Sequence, residues 1–382
     1  MKAAICVGAL ALAAFGASYV SAAVPGVPTA PTVGIPGIQR AEVSLDGRLL
    51  ALSVANGDQR AVVIEQAADQ KIVDVLRMGQ TQVRNVEWVG SNHVLVTVSA
   101  GAQQELAGSA LLGDGSDNGV VFDYDVAENR QTFLMRDVPH AVNESYGAPI
   151  PRVVDGKPYV FLIGQFFANT GGEGKIALFR ADLDAHATTL AEMAPRHGGN
   201  WVVDAQGHPL AVATFDRASG VWTLSLRSGP DWRTVKTVTA PTGHPSINGL
   251  GRDGRSVLIN DRVDNQRVVR EIAPDGQDWS APVVTAPLVL VHDPATYALT
   301  GYASLAGGQT SYTFFDPKDQ AIWRGIQNAY PGQMVTLAGE SADHRRLLVK
   351  VVSPKDPPGF ALVDLDTKSA DWIGDAARAQ TP

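Results

Sequence analysis

Short apolar runs alternate with polar turns along the chain from about residue 40 to about residue 375. Seven times, a strand-like run is followed by a polar turn and then by a more apolar run. These turns lie at residues 46–48, 90–92, 155–157, 206–208, 253–255, 294–296 and 343–345. The spacing, roughly 40 to 60 residues, is the period of propeller blades.

Two further strand candidates follow each of these units, for example residues 61–65 and 71–76 after the first. Recurring Asx-Gly turns supply the positive φ that tight hairpins need. The pattern predicts an all-β fold, a seven-bladed β-propeller of four-stranded blades. The first and last repeats each hold four strands. We therefore expect the ring to close by packing alone, without a blade shared between the two ends of the chain. Such a ring should open more easily than one with a shared blade. One helix is predicted over 319–330, where Ile322, Ile326 and Tyr330 fall four apart.

The first residues have the features of an export signal. Lys2 precedes an apolar run over 3–17, and small residues at 21–23 offer a cleavage site. A membrane anchor is the alternative, but the run is short and prolines follow it. We therefore expect a signal peptide at 1–23, an extended leader at 24–39, the propeller at 40–376 and a C-terminal tail at 377–382. The predicted location is periplasmic or secreted.

Composition excludes several classes of function. The formal net charge is −8, which argues against a nucleic-acid partner because phosphate binding needs clustered Lys and Arg. No segment after residue 24 is long and apolar enough to span a bilayer. Cys6, the single cysteine, lies inside the predicted signal, so we expect no disulfide and no thiolate chemistry in the mature chain.

A serine-hydrolase motif is missing from the sequence. Gly-x-Ser-x-Gly, which places a nucleophile on a strand-to-helix turn, does not occur. The segment 339–343 lacks the second glycine and falls on the turn of the last repeat. His197-Gly198-Gly199 is similar to an oxyanion-hole tripeptide, but the pattern around it favours a glycine turn. We predict no catalytic residue and no cofactor.

A calcium-loop pattern is the one metal candidate. Asp114, Ser116, Asn118 and Asp125 approximate positions one, three, five and twelve of such a loop. The flanks alternate as strands should, and an Asp replaces the usual bidentate Glu, so a polar hairpin tip is the competing interpretation. None of the eight histidines pairs at a spacing suited to zinc.

The last hundred residues carry a more specific resemblance. It is carried by His292-Asp293-Pro294 and by the segments 312–317, 320–323, 329–332, 341–343, 346–349, 353–357 and 362–368, together with 44–48 and 86–89. Through these segments, residues 38–376 are similar to the N-terminal propeller of bacterial prolyl oligopeptidase family serine peptidases, the dipeptidyl and acylaminoacyl peptidase branch. In that family the propeller restricts entry to an α/β-hydrolase domain, which holds the serine, aspartate and histidine. None of these has a counterpart here. Paired glutamates that hold the substrate amino terminus in some relatives have no clear match either.

Taken with the predicted signal peptide and the missing serine motif, the resemblance leads us to expect a non-catalytic, exported propeller, similar to a substrate-gating domain and truncated or split from its hydrolase. A separately encoded α/β-hydrolase domain, or a peptide or protein ligand, would be its partner. One face should then expose apolar surface. A free-standing peptide- or protein-binding propeller is the alternative, and a calcium-dependent binding module is a third possibility.

Overall fold

The computed structural model describes residues 37–99, 118–168, 172–195, 199–240, 242–276, 279–306 and 309–377. The predicted signal peptide, most of the leader, Asp114 and Ser116 lie outside these ranges, as does the tail after Ala377. The described residues form seven antiparallel sheets in chain order around a ring, which confirms the predicted seven-bladed β-propeller.

The first four blades follow the chain in simple meanders. Blade 1 comprises β1 (Gly37–Val43), β2 (Leu49–Asn56), β3 (Gln59–Gln66) and β4 (Ile72–Gly79). Blade 2 comprises β5 (Val83–Val89), β6 (His93–Ser99), β7 (Asn118–Asp125) and β8 (Arg130–Phe133), with β9 (Ser145–Tyr146) added beside β7. Blade 3 comprises β10 (Ile150–Val154), β11 (Lys157–Phe166), β12 (Lys175–Asp182) and β13 (Ala187–Met193). Blade 4 comprises β14 (Asn200–Val203), β15 (Pro209–Asp216), β16 (Val221–Ser228) and β17 (Asp231–Thr239).

The last three blades include the helix. Blade 5 comprises β18 (Ser246–Leu250), β19 (Val257–Val263), β20 (Gln266–Ile272) and β21 (Val284–Thr285). Blade 6 comprises β22 (Pro287–His292), β23 (Leu299–Ala306) and β24 (Gln309–Phe314), followed by α1 (Pro317–Ala329). Blade 7 comprises β25 (Met334–Glu340), β26 (Arg346–Val352), β27 (Gly359–Asp364) and β28 (Ser369–Asp375).

The helix confirms the sequence prediction, but it begins two residues earlier and ends one residue earlier than predicted. Asp316 caps it, because its Oδ1 accepts the Lys318 backbone N–H at 2.7 Å. Its buried Trp323 and Ile326 pack into the apolar cluster between blades 6 and 7. The helix therefore supplies core to a junction where blade 6 contributes three strands.

Apolar packing between neighbouring blades holds the ring together. Each of the seven junctions has its own cluster of buried side chains, from Trp88 and Phe122 between blades 1 and 2 to Leu50 and Phe360 between blades 7 and 1. At the last junction the Ala342 N–H donates to the Leu45 carbonyl at 2.8 Å. The absence of a shared blade at the ring closure stays a prediction.

Strand direction gives the ring two distinct faces. The first strand of each blade begins on one face, here named the entry face, and ends on the other, the turn face, where the repeated polar turns lie. Because a four-stranded meander returns to its starting side, both ends of the described chain lie on the entry face: the Ala377 N–H donates to the Ile38 carbonyl at 2.9 Å. Within the described residues, no helix has the length and apolar character needed to cross a membrane.

Candidate functional site

The innermost strands of six blades line a cavity of about 510 Å³ in the central channel. Its wall combines apolar side chains such as Leu290 and Leu337 with ionisable groups that reach inward from several blades. The ionisable lining residues are Glu42, Glu87, Arg152, His292, Asp293, Tyr297, Tyr312 and Glu340. A cavity of this size with a few convergent polar groups fits a binding site.

Two glutamates on neighbouring blades enter this cavity without a direct partner. Glu42 lies near the end of β1 and Glu87 in β5, and neither forms a hydrogen bond or ion pair with the described residues. Burial raises the pKa of Glu42 well above its usual range, and the charge of Glu87 adds to the effect. Burial also raises the pKa of Glu87 to about 7, opposed by Arg152. A cation placed between these carboxylates would be stabilised.

Arg152 is the fixed positive charge of the cavity. Its buried guanidinium donates to the backbone carbonyls of Asp204 at 2.9 Å, Pro151 at 2.6 Å and Val203 at 2.5 Å. Burial lowers the pKa of Arg152 to about 10, so it stays charged at neutral pH. These bonds join the inner strands of blades 3 and 4. Arg152 forms no hydrogen bond with Glu87, so its charge alone opposes the rise in the pKa of Glu87.

Tyr297 crosses the channel near the turn face. It lies in the loop between β22 and β23 of blade 6, yet its hydroxyl accepts the Val153 N–H of blade 3 at 3.0 Å. The Arg152 guanidinium lies 4.1 Å from the centre of its ring. Tyr297 has a φ of +61°, a conformation that costs a bulky residue about 1–3 kcal/mol unless its surroundings hold it. The side chain narrows this end of the channel.

A second pair of carboxylates in the cavity shares one cation. His344 Nε2 lies 3.0 Å from Asp293 Oδ2, and its Nδ1 lies 3.2 Å from Glu340 Oε2. These two hydrogen bonds raise the pKa of His344 to about 10 and make it a cation. The pKa of Asp293 falls to about 2, because the bonds it accepts outweigh its burial.

His292 provides a neutral imidazole beside the charged groups. Burial lowers its pKa to about 4, and the charge of Arg152 acts in the same direction. Its Nε2 is buried and has no hydrogen-bond partner among the described residues. The cavity wall therefore combines a neutral imidazole, carboxylates paired with a cation, and two glutamates that have no partner among the described residues.

The serine singled out in the sequence is a turn residue. Ser341 is 1% exposed, and its Oγ donates to Asp343 Oδ1 at 2.6 Å while accepting the Arg346 N–H at 3.0 Å. This confirms the turn position expected from the repeat. Of the oxyanion-like tripeptide, residues 197 and 198 lie outside the described residues.

The calcium-loop residues that are described do not come together. Asn118 and Asp125 are the first and last residues of β7, which places them about 23 Å apart at the usual rise of a strand. They cannot hold the same ion. Asp125 Oδ1 instead accepts the N–H groups of Ala127 and Glu128 at 2.8 and 3.0 Å, as a hairpin tip requires.

Sequence reasoning missed the channel residues. The available signal was a charged residue among the apolar residues of a first strand, as at Glu87 between Val86 and Trp88. Alternation alone could not separate a side chain that enters the channel from one in contact with solvent. Bringing Tyr297 to blade 3 needs the closed ring, which no local pattern shows.

No protein-family model matches this sequence, and no curated protein matches it. Solved structures do match. The β-propeller domain of the Trilobed protease from Pyrococcus furiosus, described as having an open velcro topology, superimposes with a TM-score of 0.52 at 8% identity over 90% of this chain and 97% of that one. An acylaminoacyl peptidase from Pyrococcus horikoshii superimposes with a TM-score of 0.50 at 9% identity, over 90% of this chain and 53% of that one.

The fold is therefore that of the propeller domains of prolyl oligopeptidase-type peptidases, as the sequence resemblance implied. This chain spans about half the length of the acylaminoacyl peptidase, and the match falls on the propeller alone.

Proposed function

We propose that this chain is an exported, non-catalytic propeller that binds a positively charged peptide group, an amino terminus or a basic side chain, in its central channel. The proposal rests on Glu42 and Glu87, which have no hydrogen-bond or ion-pair partner among the described residues. Two carboxylates with raised pKa values in one cavity repel each other, and a bound ammonium group would relieve that repulsion.

The remaining groups of the cavity suit a peptide chain. Leu290 and Leu337 offer apolar contact, and the neutral imidazole of His292 has an unused ring nitrogen. Tyr297 narrows the turn-face end, so a peptide enters from the entry face and stops with its amino group near the glutamates. Binding without chemistry is a common use of propellers.

Affinity for short peptides tests this function. Isothermal titration calorimetry would compare a tetrapeptide with a free amino terminus against the same peptide acetylated at that end, at pH 8. We expect the acetylated peptide to bind at least tenfold more weakly, and Glu87→Gln to weaken the free peptide by a similar factor. Glu173→Gln, at an exposed position, is the matched control. Equal affinity for both peptides contradicts the proposal.

A second proposal concerns the partner expected from the sequence. Five exposed apolar side chains lie at strand ends on the entry face of blades 5 to 7. They are Val263, Leu288, Val289, Leu305 and Met334, with 37%, 52%, 53%, 63% and 40% of their surfaces exposed. Both ends of the described chain emerge on that same face. An apolar patch at this place fits a docked α/β-hydrolase domain encoded separately.

The docking proposal is testable with an active-site label. The tagged chain would be recovered from its native extract, and bound serine hydrolases would be detected with a fluorophosphonate probe. We expect a labelled band that is lost with Leu288→Glu and kept with Ile72→Glu, a matched change at a 58% exposed residue of β4. A labelled band unaffected by Leu288→Glu, or no labelled band, counts against docking on this face.

A further inference from the structure

A second cluster of ionisable groups lies on the turn face, between the hairpins of blades 2 and 3. Asp125 ends β7, Glu128 lies in the β7–β8 hairpin, and His186 lies in the β12–β13 hairpin. One ligand atom from each lies within 4.8 Å of the other two. Of the two described residues of the sequence-based calcium pattern, Asp125 belongs to this cluster and Asn118 does not.

Hydrogen bonds from outside the cluster fix the orientation of Asp125 and His186. Asp125 Oδ1 accepts two backbone N–H groups of its own turn, which leaves Oδ2 for another partner. His186 Nδ1 lies 3.4 Å from Thr132 Oγ1, and its Nε2 lies 3.1 Å from Glu128 Oε2. Metal-binding histidines usually hold one ring nitrogen in this way while the other faces the ion.

The surroundings of the cluster carry excess negative charge. His93 is a neighbour of Asp125. Its Nε2 lies 4.0 Å from Asp125 Oδ2 and 3.2 Å from Asp184 Oδ1. Its Nδ1 pairs with Asp123 Oδ2 at 2.9 Å. Asp123 is 1% exposed, and its second oxygen has no partner among the described residues. Four carboxylates therefore share two imidazoles and one guanidinium, that of Arg130, whose Nη1 lies 3.9 Å from Glu128 Oε2.

We propose that Asp125, Glu128 and His186 form a binding site for a divalent transition metal of the zinc class, which joins blades 2 and 3. One imidazole with two carboxylates suits zinc, whereas calcium takes oxygen ligands alone. Three protein ligands leave a coordination position for water. Because the ligands come from two blades, the ion stabilises the junction between them.

Metal titration tests the site directly. Protein stripped with a chelator would be titrated with Zn²⁺ by calorimetry, and its melting temperature would be followed. We expect one equivalent to bind at micromolar or lower dissociation constant and to raise the melting temperature. Glu128→Gln and His186→Gln should each weaken binding at least tenfold. His208→Gln, at a histidine with a 76% exposed side chain, is the matched control.

Several outcomes would overturn the assignment. Failure to bind Zn²⁺, equal affinity in both variants, or preference for Ca²⁺ over Zn²⁺ would each do so. Co²⁺ substitution provides a check that does not depend on stability, because its visible spectrum changes with an imidazole ligand. We expect that change in the wild-type protein and its loss in His186→Gln.

Discussion

The two sides of the channel cavity hold carboxylate pairs in opposite states. On the side of blades 1 and 2, Glu42 and Glu87 have no partner among the described residues, and their pKa values are raised. On the side of blades 6 and 7, Asp293 and Glu340 share the cation His344. The ring therefore supplies a cation for one pair of acids and none in contact with the other. We infer that the carboxylates of Glu42 and Glu87 bind the cationic group of a ligand.

Loss of Arg152 should have the largest effect. Arg152→Met leaves three backbone carbonyls without their donor and removes the cation near Glu87. We expect a loss of about 3 kcal/mol in the free energy of unfolding, measured in urea. Arg217→Met, at an exposed position, should change it by less than about 0.5 kcal/mol. A small effect at Arg152 would mean that the two inner strands do not depend on it.

The unpaired side should lose stability as the pH rises. The folded-state pKa of Glu87 is about 7, above the ordinary 4.5, so the folded protein holds this proton more tightly than the unfolded chain. The contribution of protonated Glu87 to the free energy of unfolding is therefore complete below pH 4.5 and is lost as the pH rises to about 7. In Glu87→Gln we expect this decline to be smaller by about 2 kcal/mol between pH 4.5 and 8, measured by urea unfolding. Parallel curves for both proteins would contradict the raised pKa.

The paired side should respond in a different pH window. The pKa of His344 is raised from 6.5 to about 10, so its contribution is complete below pH 6.5 and is lost toward pH 10. Because the side chain is 38% exposed, we expect His344→Gln to cost about 1 kcal/mol at pH 6 and little at pH 10. A cost that does not change with pH would show that packing, not charge, explains the effect.

The smallest effect should come from Gly339. A Cβ at this position would lie 2.7 Å from Glu42 Oε2, so Gly339→Ala displaces the carboxylate, which is the end of a flexible side chain. We expect a change in stability below about 1 kcal/mol and a severalfold change in peptide affinity. Gly325→Ala, in the helix with open space around it, should leave that affinity unchanged. Unchanged affinity in Gly339→Ala would argue that Glu42 does not contact the ligand.

The fold was predictable because its signals are local and repeated. Asp-Gly turns such as Asp253-Gly254 mark several of the hairpins, and apolar runs such as 257–259 mark the blade core. Seven repeats of this pattern all indicate the same fold. The channel depends on contacts that are distant in sequence. Tyr297 and Val153 are 144 residues apart, and only closure of the ring brings them together.

The metal candidates show the same limit. The sequence placed Asn118 and Asp125 in one calcium loop because their spacing matched, but a strand separates them. The cluster that does form joins Asp125 to His186 of the next blade, which spacing within one segment could not indicate.

Titration of the channel glutamates tests the central claim most directly. The carboxyl carbons of the glutamates would be labelled with ¹³C and followed by NMR across pH 3 to 9, with and without a peptide that has a free amino terminus. We predict that Glu87, assigned by its loss in Glu87→Gln, titrates near pH 7 alone and at lower pH with the peptide. A pKa near 4.5 that the peptide does not change would contradict the account.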